Sequence, residues 1–267
     1  MLKNQITIKD IASELGISPS TVSRALKDHP DISEATKKAV KELAEKWDYQ
    51  PNSIALSLRS QKSNIIGVIV PQIVHHFFST VISGIEDVAY AAGYNVMICQ
   101  SNEKYEREVA DIKALISSRA EGLLVSFSKE TMDFEHLKKL QKRGVPLVFF
   151  DRICEEMDTH SVIVDDFGGA FKATEHLISM GCNKIAHLAG PNHLLISQNR
   201  ADGYQEALEK HGIPYDKSLV LTCDGGPEAE EGLIQMEKLL KLPNRPDAVF
   251  ANNDLVAIGA MKAIKQA

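Results

Sequence analysis

The chain has 267 residues, of which 44% are hydrophobic and 25% charged, with a formal net charge of −6 at pH 7. This is the balance of a soluble globular protein of more than one domain, and the longest apolar runs, such as residues 65–70, are strand-sized and exclude a membrane span. Cys99, Cys154, Cys182 and Cys223 lack metal-type spacing and suit small core positions in a reducing cytoplasm; no basic-then-apolar signal segment opens the chain.

The charge is unevenly distributed. Residues 1–62 hold ten Lys/Arg and eight Asp/Glu, a net +2, whereas the rest carries −8. A basic head on an acidic body suits phosphate contact by the head alone. In that head, Ile8, Ile11, Ala12 and Leu15 fall at i, i+3, i+4 and i+7, one face of a helix. Gly16 predicts a left-handed stop. Ser18 then stands as an N-cap with Pro19 at the first helical position. The second helix is expected to bury Val22 and Leu26 and to expose Ser20, Thr21, Ser23 and Arg24. Two short helices around a glycine turn, with small polar residues and one arginine outside, describe a helix-turn-helix; a merely packing αα-hairpin is the plainer alternative. Ser33 caps a third helix whose buried face is Val40, Leu43, Ala44 and Trp47, with Trp47 supplying much of a small core.

After a stop at residues 48–52, residues 53–59 are about two helical turns long, too short to hold as an isolated helix. They carry Ile54, Leu56 and Leu58, which no core within one chain receives. From residue 63 onward the pattern alternates. Strands are predicted over 65–70, 94–99, 122–126 and 145–150, with helices over 76–92, 105–117 and 133–143. A second series has strands over 162–164, 184–188, 219–222 and 248–251, with helices over 168–180, 198–211, 229–240 and 254–264. Short buried strands alternating with helices predict two doubly wound parallel sheets, split near residues 151–160, with ligands binding at the strand C-termini between them.

The motifs Thr7-Ile8-Lys9-Asp10-Ile11-Ala12, Val22-Ser23-Arg24-Ala25-Leu26, Ile32-Ser33-Glu34-Ala35-Thr36 and Tyr49-Gln50-Pro51-Asn52, with Ala55 and Leu58, resemble the headpiece of the LacI/GalR family of bacterial transcription regulators. The resemblance continues through Gly84-Ile85-Glu86, Phe150-Asp151-Arg152, Arg200-Ala201-Asp202-Gly203-Tyr204 and Asn253-Asp254-Leu255, in the family's periplasmic-binding-protein-like effector domain. It implies a helix-turn-helix headpiece over 1–50, a hinge helix and linker over 51–62, and effector subdomains over 63–158 and 159–267. Family members usually run on past this point, so the second subdomain is expected to be incomplete.

The resemblance further implies a DNA-binding repressor, allosteric, at least dimeric and cytoplasmic, associated with the nucleoid when bound to DNA. It implies a near-palindromic operator and a sugar or related metabolite as effector; no cofactor, metal or membrane is expected. A regulator controlled by a partner protein is the alternative. An α/β enzyme is a remote one, since Asp165-Asp166 and His187 lack an accompanying nucleophile, phosphate loop or metal spacing. Base reading is carried onto Pro19, Ser20 and Arg24, of which Arg24 can meet guanine bidentately and Pro19 offers apolar contact only. Phosphate contact is carried onto Thr7, Ser18, Thr21, Ser23, Lys27, Ser33, Thr36, Tyr49 and Asn52, with Ser18 and Ser33 doubling as caps. Leu58, with Ala55 beside it, matches a hinge leucine that wedges into the minor groove. In the effector domain the implied cleft residues are Phe77, Phe78, Asp151, Arg200 and Asn253. Arg200 with Asp151 is equally readable as a structural ion pair, and one of the two phenylalanines as core. Pro227 stands where several relatives place a stacking aromatic, which leaves the effector open.

Overall fold

The computed structural model describes residues 6–49 and 63–267. The chain divides into two compact units, Met1–Ser63 and Asn64–Ala267. The first contains α1 (Ile8–Glu14), α2 (Pro19–Ala25) and α3 (Glu34–Lys46). Asp10 opens α1 by accepting from the Thr7 amide and hydroxyl, both at 2.7 Å, which place a negative charge where the helix dipole favours it. Those hydrogen bonds hold its carboxyl below the usual range. At the other end Ile17 donates to the Ala12 carbonyl (3.0 Å) and Gly16 to Ser13 (3.3 Å), with Gly16 at φ +63°. This is the αL stop expected at Gly16. Asp28 (φ 53°) and Asp48 (φ 48°) end α2 and α3 in the same conformation, and two 2.8 Å hydrogen bonds from Lys41 strap Asp28 to α3.

Ile11, Ala12, Val22, Ala25, Val40 and Ala44 fill the core of this unit. Two expectations change here. Ala25 takes the buried position on α2 while Leu26, its C-cap, is half-buried, and Trp47 caps α3 from the edge of the core. The branched Ile11, Val22 and Val40, with the alanines between them, hold the centre, and Leu26 and Trp47 pack at its edge.

The second unit has two parallel sheets. The first orders as β2-β1-β3-β4-β5, from β1 (Ile65–Val70), β2 (Asn95–Gln100), β3 (Gly122–Val125), β4 (Leu147–Phe150) and β5 (His160–Val162). Helices α4 (His76–Ala91), α5 (Tyr105–Ser117) and α6 (Glu135–Lys142) follow β1, β2 and β3. The second sheet orders as β7-β6-β8, from β6 (Ile185–Ala189), β7 (Val220–Thr222) and β8 (Ala248–Ala251). With it run α7 (Asp166–Ser179), α8 (Leu195–Lys210), α9 (Glu228–Leu240) and α10 (Asp254–Gln266).

The sequence pattern assigns the strand near residue 162 to the second series, with the subdomain boundary at 158/159. Instead β5 pairs with β4 (Val148 opposite His160, Phe150 opposite Val162), so the first sheet extends through Val162. Its three residues are exposed, as on an edge strand, and give no burial signal to place them.

Both sheets are covered on both faces, which is why their strands read as continuous apolar runs. On the first sheet, Ile69, Leu123, Val125 and Phe149 meet α5 and α6 on one face, and Val68, Val70 and Phe150 meet α4 on the other. On the second, Ala186 and Leu188 face α9 and α10, and Ile185 faces Tyr204 and Leu208 of α8. Helix α9 and α10 approach backbone to backbone: a Cβ on Gly232 would stand 2.2 Å from the Val256 carbonyl, and one on Gly259 2.0 Å from that of Ala229. Leu194, from the loop before α8, is buried in the core of the first half beside Phe127, Leu137 and Met157. Among the described residues no helix is long and apolar enough to cross a membrane.

Candidate DNA-reading helix and effector cleft

Two of the helix starts in the headpiece, those of α2 and α3, gather hydroxyls. Ser18 Oγ accepts from the Thr21 amide at 3.1 Å and lies 2.8 Å from Ser20 Oγ and 2.9 Å from Thr21 Oγ1. Ser33 repeats the arrangement with the Thr36 amide (3.3 Å) and hydroxyl (2.9 Å). Rotatable O–H groups at a helix N-terminus are suited to phosphate oxygens. Pro19 and Ser20 are exposed, and Thr21 and Ser23 half-exposed, on the outward side of α2.

Arg24 is 57% exposed and its nearest carboxylate, on Asp31, is 4.0 Å away and equally solvated, so the guanidinium is loosely held and can swing to a base edge. Lys27 is exposed. The Thr7 hydroxyl is committed to Asp10, so a phosphate there would compete with that bond. Tyr49 packs partly against the headpiece core, and burial raises its phenol pKa. Asn52, Ala55 and Leu58 lie outside the described residues.

In the second unit the polar residues collect where strands end. Asp151 follows β4 in a left-handed conformation (φ 62°), its amide donating to the Val162 carbonyl at 3.1 Å. Ser126, directly after β3, donates to Asp151 Oδ2 at 3.2 Å. Burial pushes the Asp151 carboxyl up, against the opposing pull of Arg152, Ser126 and Arg200. The neighbouring Arg152 turns the other way, making a bidentate pair with Glu103 (2.7 and 2.8 Å) and donating to the Phe127 carbonyl at 2.9 Å. Burial works against the Glu103 carboxylate too, but Arg152 outweighs it and holds the carboxyl below its ordinary range.

Arg200 does not pair with Asp151. Its Nε and Nη2 both reach Asp166 Oδ1 at 2.8 Å, and its Nη1 donates to the Asn252 carbonyl. The sequence reading considered Asp166 only as a conceivable acid or base; its place at the start of α7, facing α8, makes it the arginine's counterion instead. Asn253 caps α10, its Oδ1 accepting from the Val256 amide at 3.0 Å, which leaves the side-chain NH₂ for other partners.

The phenylalanines separate. Phe78 is buried against Val68, Val70 and Phe150, whereas Phe77 is 46% exposed and meets Phe78 edge-on at 5.1 Å. Phe78 is core, and only Phe77 keeps a face for a ligand.

The sequence reading passed over Ser126, Ser197 and Asn252. Among the described residues Ser197 Oγ and Asn252 Oδ1 are buried without a hydrogen-bond partner, packed around Gly190, where a Cβ would stand 2.4 Å from Ser197 Oγ. Ser126 and Asn252 each sit one residue beyond a strand, so the strand-end rule was the available signal. His187, imagined as a catalytic base, stacks on Phe250 and lies beside Tyr204, with its pKa lowered by burial to about 4, a neutral core residue.

These features have counterparts in known proteins. Residues 7–52 match the family described as bacterial regulatory proteins, lacI family, and residues 63–267 match periplasmic binding proteins and sugar binding domain of LacI family. The chain is 36% identical over 266 residues to the "Probable HTH-type transcriptional repressor ExuR" of Bacillus subtilis (strain 168), covering 97% of this chain and 76% of the relative. Its fold is similar to that of the lac repressor dimer solved with operator and the anti-inducer ONPF, with TM-score 0.82, 26% identity, and coverage of 98% and 78%. It is also similar to the Cra regulator of Pseudomonas putida in complex with fructose 1-phosphate, with TM-score 0.68, 25% identity, and coverage of 76% and 74%. Such relatives are transcription regulators rather than enzymes. The chain belongs to the LacI family of bacterial regulatory proteins.

Proposed function

We propose that this regulator is a repressor that binds a near-palindromic operator as a homodimer, in the bacterial cytoplasm and on the nucleoid when bound. In this reading Arg24 and Ser20 of α2 read base edges and Pro19 adds apolar contact. The hydroxyls around Ser18, Thr21, Ser23, Ser33 and Thr36, with Lys27, hold phosphates. A sugar or related metabolite sits at the strand ends between the two halves of the body, against Asp151, Arg200, Asn253 and Phe77. The observation that carries the reading is the pairing, on one chain, of an outward arginine-and-hydroxyl helix with a two-sheet body whose buried polar atoms converge at the strand ends. The dimer is supported by α4, whose Gly84, Val88 and Ala91 form an exposed, uncharged stripe at helical spacing.

Binding-site selection tests the DNA half. Arg24→Ala should lose about 1–3 kcal/mol of specific affinity and relax one base position, and an unchanged preference would remove Arg24 from the readout. Leu58→Ala should reduce operator bending while sparing salt-driven, non-specific binding. Thermal shifts across a sugar and nucleoside panel test the effector half, and a panel without any response would favour a protein signal.

A further inference from the structure

We propose that the cleft selects an uncharged, hydroxyl-rich effector, such as a free sugar or nucleoside, and rejects sugar acids and sugar phosphates. The inference rests on the effector reading above and deepens it. A relative of the same fold was solved with fructose 1-phosphate, so the fold alone does not choose between these classes.

The charges at the strand ends make the choice. Capturing an anion in a buried site requires a cation whose charge is not already matched. Arg200 is held by Asp166 through two nitrogens, and a third donates to a backbone carbonyl. Arg152 is held by Glu103 in a fork and is almost wholly buried. Lys129 makes no ion pair among the described residues, but it lies in the field of two carboxylates, Glu103 and Glu130, which outnumber it. Glu228 adds a further negative charge within reach of Arg152. Against the two matched arginines stands Asp151, whose nearest cation, Arg152, is 3.9 Å away and already engaged elsewhere. The surplus at the strand ends is therefore a carboxylate.

The hydrogen-bond requirements agree. Asp151 receives Ser126 on Oδ2, and among the described residues no donor reaches its Oδ1. That oxygen accepts only. Arg200, at 23% side-chain exposure, retains N–H groups beyond the three already bonded, and these donate only. A ligand spanning the two must donate at one end and accept at the other. A pair of hydroxyls does both, whereas a phosphate or carboxylate accepts only and would face Asp151 and Asp166 with like charge.

The test uses the full chain and matched probes: galactose with galacturonate, glucose with glucose 6-phosphate, ribose with ribose 5-phosphate, and adenosine with AMP. Isothermal titration should find a neutral member that binds and an anionic partner at least about tenfold weaker, a margin that narrows with added salt. Asp166→Asn, which unmatches the Arg200 charge, should strengthen the anionic partner about tenfold relative to wild type. Asp151→Asn, which removes the surplus carboxylate, should shift the same ratio in the same direction and serves if the first variant fails to fold. An anionic member that binds wild type as well as or better than its neutral partner overturns the selection while leaving a small-molecule effector in place. Binding by no probe in either charge class, with folding verified by circular dichroism, overturns the selection together with the effector reading.

Discussion

Truncating Leu194 tests how the two halves of the body are joined. The residue belongs in sequence to the second half, in the loop before α8, yet it is 5% exposed within the core of the first half. Leu194→Ala removes three carbons, about 2.4 kcal/mol of transfer free energy at ~0.8 kcal/mol per methylene. A residual cavity raises the loss toward the ~3–5 kcal/mol of poorly relaxing sites, but a loop can partly close over the gap, so a total near 3 kcal/mol is expected. The neighbouring contact, His193 Nε2 to the Lys129 carbonyl at 2.6 Å, crosses in the same place and is left intact. Urea unfolding should be followed by far-UV circular dichroism, because the only tryptophan, Trp47, lies in the headpiece and would report on the wrong unit. The variant should show a lower midpoint and either a smaller slope or two transitions as the halves uncouple. A loss below about 1 kcal/mol with an unchanged slope would refute the insertion of Leu194 into the first half.

Glu103→Gln leaves the Arg152 guanidinium buried beside a neutral partner and should cost about 3–5 kcal/mol in equilibrium unfolding, well above the range of an exposed pair. Asp151→Asn should stabilise the protein at pH 7. Because burial raises the folded-state pKa of Asp151, the wild-type penalty is present when the group is ionised and fades as pH falls through that raised value toward 3.8, so the gap between variant and wild type should close on acidification; a gap that widens in acid would contradict the sign. Gly232→Ala puts a methyl against the Val256 carbonyl and should cost about 1–3 kcal/mol, with a crystal structure showing α9 and α10 pushed apart.

The headpiece was legible because its signals are local. Caps, the Gly16 stop and helical spacing act over three or four residues, and they placed α1, α2 and α3 with Ser18 and Ser33 as caps. The alternating body was legible from the period of its apolar runs. What escaped depends on contacts far apart in sequence. Nothing near Arg200 says that Asp166, 34 residues earlier, will reach it before Asp151 does. Nothing in His160-Ser161-Val162 says which sheet that segment joins, because an exposed edge strand carries no burial pattern. Phe77 and Phe78 are chemically alike, and only the direction of α4 over β1 sends one inward.

The placement of β5 has a mechanical consequence. The segment from Asp151 to Asp166, which passes through β5, carries a carboxylate at each end, one residue pinned to the first sheet by its amide and the other locked to α8 through Arg200. Only residues 163–165 bridge the gap between the end of β5 and the start of α7. A tether of that length transmits displacement with little slack, so any rotation of one half against the other alters the separation of these two carboxylates directly. The separation of Asp151 and Asp166 is thereby a gauge of the angle between the halves, and a change in that angle registers at the Arg200 ion pair without an intermediate relay.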